Sequence, residues 1–343
     1  MAGCSSWILW APTAGERSGL SAIYTRREIR HSYLLDRLKE PKPHLWSVLV
    51  SSCSGGSCSP SSSLSSGKIA LQDQRIIKAL ERIRYKLFVM SGKGGVGKSS
   101  ISVNIAAALA KRGFKVGLMD VDIHGPSVPR LLGLTGQLET TKDSQILPKR
   151  YSENLHVVSM ESLLLDPDQA VLWRGPMKTS AIRQFISDVQ WGELDFLVVD
   201  SPPGTGDEPM TVLKLIPEAL AVVVTTPQEV SLADVRKAIN FLQYAQANIL
   251  GVVENMSGLA CPHCGKSIDL FKKGGGKTLA EQYGLEFLGA IPLDPASVVA
   301  GDLGTPVVLL DADSPAKEAL LALGDRVANA AQTSLEAAST VHR

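Results

Sequence analysis

The chain has 343 residues, of which 44% are apolar and 20% charged, with a formal net charge of +1. That length suits one large domain or two modest ones and buries a sizeable core without help from disulfides or structural metals. The near-zero charge excludes a protein that coats nucleic acid through bulk charge, the lack of an apolar run of ~18 residues argues against a membrane-spanning helix, and five cysteines (Cys4, Cys53, Cys58, Cys261 and Cys264) are too few for a disulfide framework and fit a reducing compartment.

The charge is unevenly placed: residues 1–90 carry 13 Lys and Arg against 6 Asp and Glu, and the remainder carries 22 against 28. Residues 1–50 have scattered aromatic residues and no sustained period. Arg26, Arg27 and Arg30 fit a targeting segment, whereas Glu16, Glu28, Asp36 and Glu40 run against a transit peptide, which is poor in acids. An over-extended reading frame, with the true start near Val48 to Val50, accounts for the same stretch. Residues 51–66 hold ten serines and little that packs, the composition of a flexible linker. The expected organisation is a disordered, targeting or artefactual tail over 1–66 and one folded domain over 67–343.

Within residues 72–86, Ile76, Ile77, Leu80 and Ile83 share one helical stripe and predict a short lead-in helix. Strands are expected at 86–92, 115–122, 155–160, 195–204, 220–227, 248–257 and 285–292. A helix is expected over 99–113, stopped by Gly113, and helical stretches lie between several of the strands. Residues 315–334 have an apolar face with only Lys317 and Arg326 as cations, the pattern of a helix packed on a sheet rather than on a lipid surface. Nearly continuous Val, Ile and Leu runs are the mark of strands buried on both faces. The predicted fold class is α/β: an open, mostly parallel sheet with helices on both faces. Ligands of such sheets bind outside the carboxyl ends of the strands.

What stands at those ends is informative. The first strand runs into Gly92-Lys93-Gly94-Gly95-Val96-Gly97-Lys98-Ser99, followed by Ser100. This fits the phosphate-loop pattern in its strand–loop–helix setting. Glycines let consecutive N–H groups face phosphate oxygens, and the following helix adds its positive end. Lys98 would reach the β- and γ-phosphates and the Ser99 hydroxyl would ligate Mg²⁺. Asp120 and Asp122 close one strand and Asp200 another, positions poorly suited to packing and well suited to Mg²⁺ or water. Asn255 ends an apolar strand, and its amide pairs donor and acceptor in the way adenine requires.

Lys93 is a second lysine that an ordinary phosphate loop does not need. With it, GKGGVGKS resembles the deviant Walker A family of P-loop ATPases, whose fold is MinD-like. The resemblance implies that Lys93 reaches the nucleotide of the partner subunit in a sandwich dimer and stabilises charge on the transferred phosphoryl. It also implies that Asp122 positions or activates the attacking water, that Asp200 holds Mg²⁺ through a water, and that Pro202–Asp207 sense the γ-phosphate. Asp120 either supports Asp122 or caps its strand. Asn255 corresponds to an adenine-contacting residue and Pro292 to the segment that wraps the base.

Directly after the Asn255 strand come Cys261-Pro262-His263-Cys264. Two thiolates at this spacing reach one metal centre but make half a ligand set. The other half would come from a second subunit, from Cys53 and Cys58, or from a partner protein. A redox dithiol and an inert pair are the non-metal readings, and His263 reads as a spacer. Taken in order, the loop, DVDIHGPSVP, WRGPM, VVDSPPGTGD, TTPQ and ENMS followed by CPHC resemble the Mrp/ApbC iron–sulfur cluster carriers over roughly residues 72–325. The resemblance makes 67–343 a P-loop ATPase domain with a C-x-x-C insertion. It implies a homodimer that binds ATP, Mg²⁺ and a [4Fe-4S] cluster on Cys261 and Cys264 of both copies. Such a dimer hydrolyses ATP slowly and passes the cluster to apo iron–sulfur proteins, working with scaffold proteins and with neither nucleic acid nor membrane. Cytoplasm is the expected compartment, with a mitochondrion or other organelle as the lesser alternative. Two other readings share the core: a partition- or division-site regulator, and a dimer stapled by structural zinc, which wants the same ligands as a cluster.

Overall fold

The apolar runs become strands that hydrogen-bond on both edges, as residues with no polar face to turn to water must. The computed structural model describes residues 62–123, 125–163, 175–260 and 267–341, all within one unit of the chain. Helix α1 (Ser62–Glu81) leads into β1 (Ile83–Ser91), α2 (Lys98–Lys111), β2 (Val116–Asp120) and a single turn, α3 (Val128–Leu131). Short strands β3 (Glu139–Thr140), β4 (Ile146–Leu147) and β5 (Lys149–Arg150) precede β6 (Leu155–Ser159). Then come α4 (Gly175–Ser187), β7 (Leu194–Asp200), α5 (Asp207–Leu215), β8 (Leu220–Thr225), α6 (Glu229–Tyr244) and β9 (Asn248–Ala260). The chain closes with β10 (Ser267–Ile268), α7 (Gly275–Tyr283), β11 (Phe287–Leu293), α8 (Pro295–Asp302) and α9 (Pro315–Val341).

The main sheet has the order β10-β9-β8-β1-β7-β2-β6-β5, with β11 also on β9. From β11 through β9, β8, β1, β7 and β2 to β6 every pairing is parallel. Only β5 and β10 run antiparallel to their neighbours in this sheet. The parallel α/β class is therefore the observed one. The largest core cluster joins Tyr85, Leu87 and Val89 of β1 to Ile101, Ile105 and Leu109 of α2 and to Leu320, Leu323 and Val327 of α9. Phe88 and Met90, the alternate residues of β1, are as fully buried on the other face. The C-terminal helix is thus a packed core element, lying on α2 and β11.

Two boundaries depart from the sequence reading. The lead-in helix begins at Ser62, inside the serine-rich stretch, and ends before Ile83, which opens β1 opposite Leu194. Of its stripe, Ile76 is buried while Ile77 is 57% exposed. The helix is fixed by tertiary contact rather than by a long apolar face: α1 packs on α4, and Arg183 binds Gln72 and Asp73. Strand β9 runs past 257 to Ala260 because β10 pairs with its last two residues. Residues 1–61, which carry most of the expected tail and linker, lie outside the described residues.

Candidate nucleotide-binding site

The loop after β1 is built by close approach. A side chain at Gly92 would overlap the Asp234 backbone of α6, and Gly95 and Gly97 have φ of 80° and 81°, a region that L-residues avoid. The Ser91 hydroxyl donates to the Lys93 carbonyl at 2.8 Å, and Gly204 N–H donates to Ser91 O at 2.9 Å, which ties the loop to the segment after β7. Asn255 Nδ2 donates to Val96 O at 2.9 Å from the middle of β9; the strand continues five residues past Asn255, which was expected at its end, because β10 pairs with its last residues. Helix α2 begins at Lys98, so its first N–H groups, which have no acceptor within the helix, lie at the loop.

The polar centre lies behind this loop. Lys98 Nζ is 2.9 Å from Asp200 Oδ1 and 3.2 Å from Ser99 Oγ. The Ser99 hydroxyl donates to Asp200 Oδ2 and the Ser102 hydroxyl to Oδ1, each at 2.6 Å. Asp120 and Asp200 stand opposite each other in the β2–β7 register, both fully buried. Burial, and after it the Asp200 charge, hold the Asp120 carboxyl well above the usual carboxylate range. Asp120 Oδ2 accepts from Ser159, and Oδ1 accepts the Asp122 N–H at 3.0 Å. Asp120 therefore does what the sequence left between two options: it ends its strand and holds the backbone of Asp122. Asp122 lies two residues past β2, and its Oδ1 accepts the Gly125 N–H at 3.1 Å.

These elements enclose a cleft of about 720 Å³ whose walls include Lys93, Lys98, Ser99, Ser100, Asp122 and Pro203. Among the described residues the Lys93 ammonium makes no ion pair; its own carbonyl is held by Ser91. The Ser99 hydroxyl and the Asp200 carboxylate are hard oxygen donors side by side, a set that suits Mg²⁺. Asn255 and Pro292 come close on neighbouring strands, since Ile291 pairs with Asn255. Cys261, Cys264 and His263 lie outside the described residues, as do His124, Trp173 and Arg174 of the quoted motifs. The residues on either side of the cysteine segment are described: Ala260 pairs with Ser267.

Two features were missed by sequence reasoning. Ser102 lies one helical turn after Ser99 and shares Asp200, a spacing that was legible had the carboxylate been placed. At the rim, Lys178 of α4 and Glu208 of α5 pair at 2.6 Å, both largely buried; only the adjacency of WRGPM to Lys178 hinted at it.

A parallel sheet whose central strand passes through a glycine loop into a helix, with lysine, serine and carboxylate convergent behind it, defines a P-loop NTPase. Residues 82–328 match the family described as NUBPL iron-transfer P-loop NTPase, of the ParA group. The iron–sulfur cluster carrier protein of Methanocaldococcus jannaschii is 48% identical over 244 residues, covering 71% of this chain and 84% of that one. The human cytosolic Fe-S cluster assembly factor NUBP2 is 44% identical over 256 residues, covering 73% and 94%. Among solved structures, the nucleotide-binding protein of Archaeoglobus fulgidus in complex with ADP has a TM-score of 0.60 at 40% identity and covers 68% of this chain and 91% of its own. The cell division ATPase MinD of Pyrococcus furiosus, at TM-score 0.53 and 24% identity, covers 71% and 98% and shares the fold. This chain belongs to the NUBPL iron-transfer P-loop NTPase family. Among the described residues no helix is long and apolar enough to cross a membrane.

Proposed function

We propose that the chain hydrolyses ATP with Mg²⁺ and, as a homodimer, carries a [4Fe-4S] cluster on Cys261 and Cys264 of each copy for transfer to apo iron–sulfur proteins. The observation that carries this reading is a continuity of backbone. The strand whose Asn255 holds the phosphate loop runs on to Ala260, and Cys261 is the next residue. On this reading the nucleotide site on β9 and the cargo site directly after it are adjacent in the chain. The relatives named as cluster carriers and assembly factors support the cargo; the cluster type, the dimer and the transfer are our inference.

In this reading Lys98 and the amides of the loop bind the phosphates, and Ser99 with Asp200 would hold Mg²⁺, which would supply charge neutralisation to the transferred phosphoryl. A water attacks the γ-phosphorus in line, its proton passes to the Asp122 carboxylate, and the bond to the β-phosphate oxygen breaks to release ADP. Asp120 is a positioning residue that keeps Asp122 in place. Lys93 acts on the partner's nucleotide, so turnover stays slow until two copies meet. Asn255 and Pro292 flank the adenine. The ATPase domain with its C-x-x-C insertion opens with α1 at Ser62 rather than at residue 67, and the residues before α1 are read as a tail. The compartment we propose is the cytoplasm, with an organelle as the lesser alternative; the sparse cysteines fit a reducing compartment of either kind. The partition-regulator alternative needs a basic amphipathic helix free to meet a surface, and α9 has its apolar side in the core.

The test is nucleotide hydrolysis measured alongside cluster transfer. Reconstituted protein should be brown, hydrolyse ATP and restore activity to an apo [4Fe-4S] enzyme. A colourless dimer holding zinc would contradict the proposal.

A further inference from the structure

Glu254 is fully buried on β9, and among the described residues no lysine or arginine pairs with it. A buried carboxylate without such compensation is costly. Its charge is met instead by three donors. Oε1 accepts from the Ser257 hydroxyl at 2.5 Å and from Gly274 N–H at 2.9 Å, and Oε2 accepts from Gly276 N–H at 2.6 Å. Gly276 is in the first turn of α7, so the carboxylate occupies the place where a helix start attracts an anion.

Close approach limits two of these glycines, Gly276 through Glu254 itself and Gly275 through the segment before α6. A side chain at Gly275 would come within 2.9 Å of Pro227 O, and one at Gly276 within 3.0 Å of Glu254 Cβ. The stretch Lys273-Gly274-Gly275-Gly276-Lys277 reads in sequence like a second anion loop, and here it is filled from within by the chain's own side chain.

Glu254 and Asn255 are consecutive, so the pleat sends them to opposite sides. Asn255 holds Val96 of the phosphate loop while Glu254 holds the start of α7. Ser257 and Gly274, the two points that Glu254 ties together, flank β10 in the described chain. We propose that Glu254 is a positioning residue that couples the phosphate loop to β10 and α7. A nucleotide that displaces Val96 shifts the end of β9, and the buried carboxylate passes that shift to residues 267–283.

Amide hydrogen exchange on the full chain, with and without Mg-ADP, tests this coupling. In the wild type Mg-ADP should slow exchange both at 92–100 and at 267–283. Glu254→Gln keeps the shape but loses the charge and one acceptor. It should still protect 92–100, while 267–283 exchange about tenfold faster and no longer respond to nucleotide. Ser257→Ala, which removes one donor and leaves the backbone contacts, should show a reduced response and decides the matter if the glutamine variant does not fold. An unresponsive 267–283 in the wild type, or a full response in Glu254→Gln and Ser257→Ala, overturns the proposal. A second arm rests on the cluster-carrier reading: the ratio of iron release to a chelator with and without Mg-ADP should fall to about one in Glu254→Gln at unchanged iron content. If Cys261→Ala/Cys264→Ala holds as much iron as the wild type, the carrier reading fails while the exchange result stands on its own.

Discussion

On the proposed reading Lys98 serves both the ligand and the fold, and its replacement should show both. Lys98→Ala removes the cation aimed at the phosphates and leaves Asp200 buried with only the Ser99 and Ser102 hydroxyls. Titration with a fluorescent nucleotide should find no binding, and the melting curve should show a loss of up to about 3 kcal/mol, since removing one partner of a buried pair strands the other. Lys93 behaves differently because no acid in the described part of its own chain holds it. Lys93→Ala should keep nucleotide affinity and lose about 10²–10³ in turnover, the usual cost of one transition-state donor; equal loss of affinity and turnover would contradict a role in the partner's site. A third residue gives a pH dependence. His156 on β6 is partly buried, and burial first, then the facing Arg150, lower its pKa below the usual imidazole value. The folded state thus binds fewer protons than the unfolded state just below pH 6.5. Stability should be full above that pH and decline as pH falls through the lowered value. Stability from pH 7.5 to 5, followed by melting curves, should fall less for His156→Gln than for the wild type, with a difference well under about 1.4 kcal/mol because the ring is only partly buried; parallel curves would refute this.

At the scale of elements, the loop and the strand ends carry the site. Gly97→Ala places a side chain at φ 81° against the Asn255 amide. It should cost at least about 1 kcal/mol and weaken nucleotide binding more than stability, measured by calorimetry and melting together. The buried strands were legible because parallel strands covered on both faces leave unbroken apolar runs, as in LAVVVT of β8. The position of Asp200 was legible because an acid closing such a run has no packing role, whereas Asp122, expected to close β2, lies two residues past it. The start of β1 was not, since Ile83 fits a helical stripe as well as a strand and only pairing with Leu194 decides it. Ser102 and Glu254 were also missed. A serine inside a helix and a glutamate inside a strand acquire meaning only when a distant chain segment supplies the partner, Asp200 in one case and Gly274 with Gly276 in the other.

For the whole molecule, one strand links two chemistries. Strand β9 touches the phosphate loop through Asn255 and the entry to α7 through Glu254, and ends one residue before the first cysteine of the pair. A single pair is half of a cluster's ligand set, so on the proposed reading a second copy supplies the other half. Anaerobic reconstitution with iron and sulfide, followed by metal analysis and solution mass on the same sample, decides the matter. We predict a dimer with about four iron atoms per two chains and a near-complete loss of iron in Cys261→Ala/Cys264→Ala; a monomer in the presence of nucleotide, or unchanged iron in the double variant, would contradict a cluster shared between two copies.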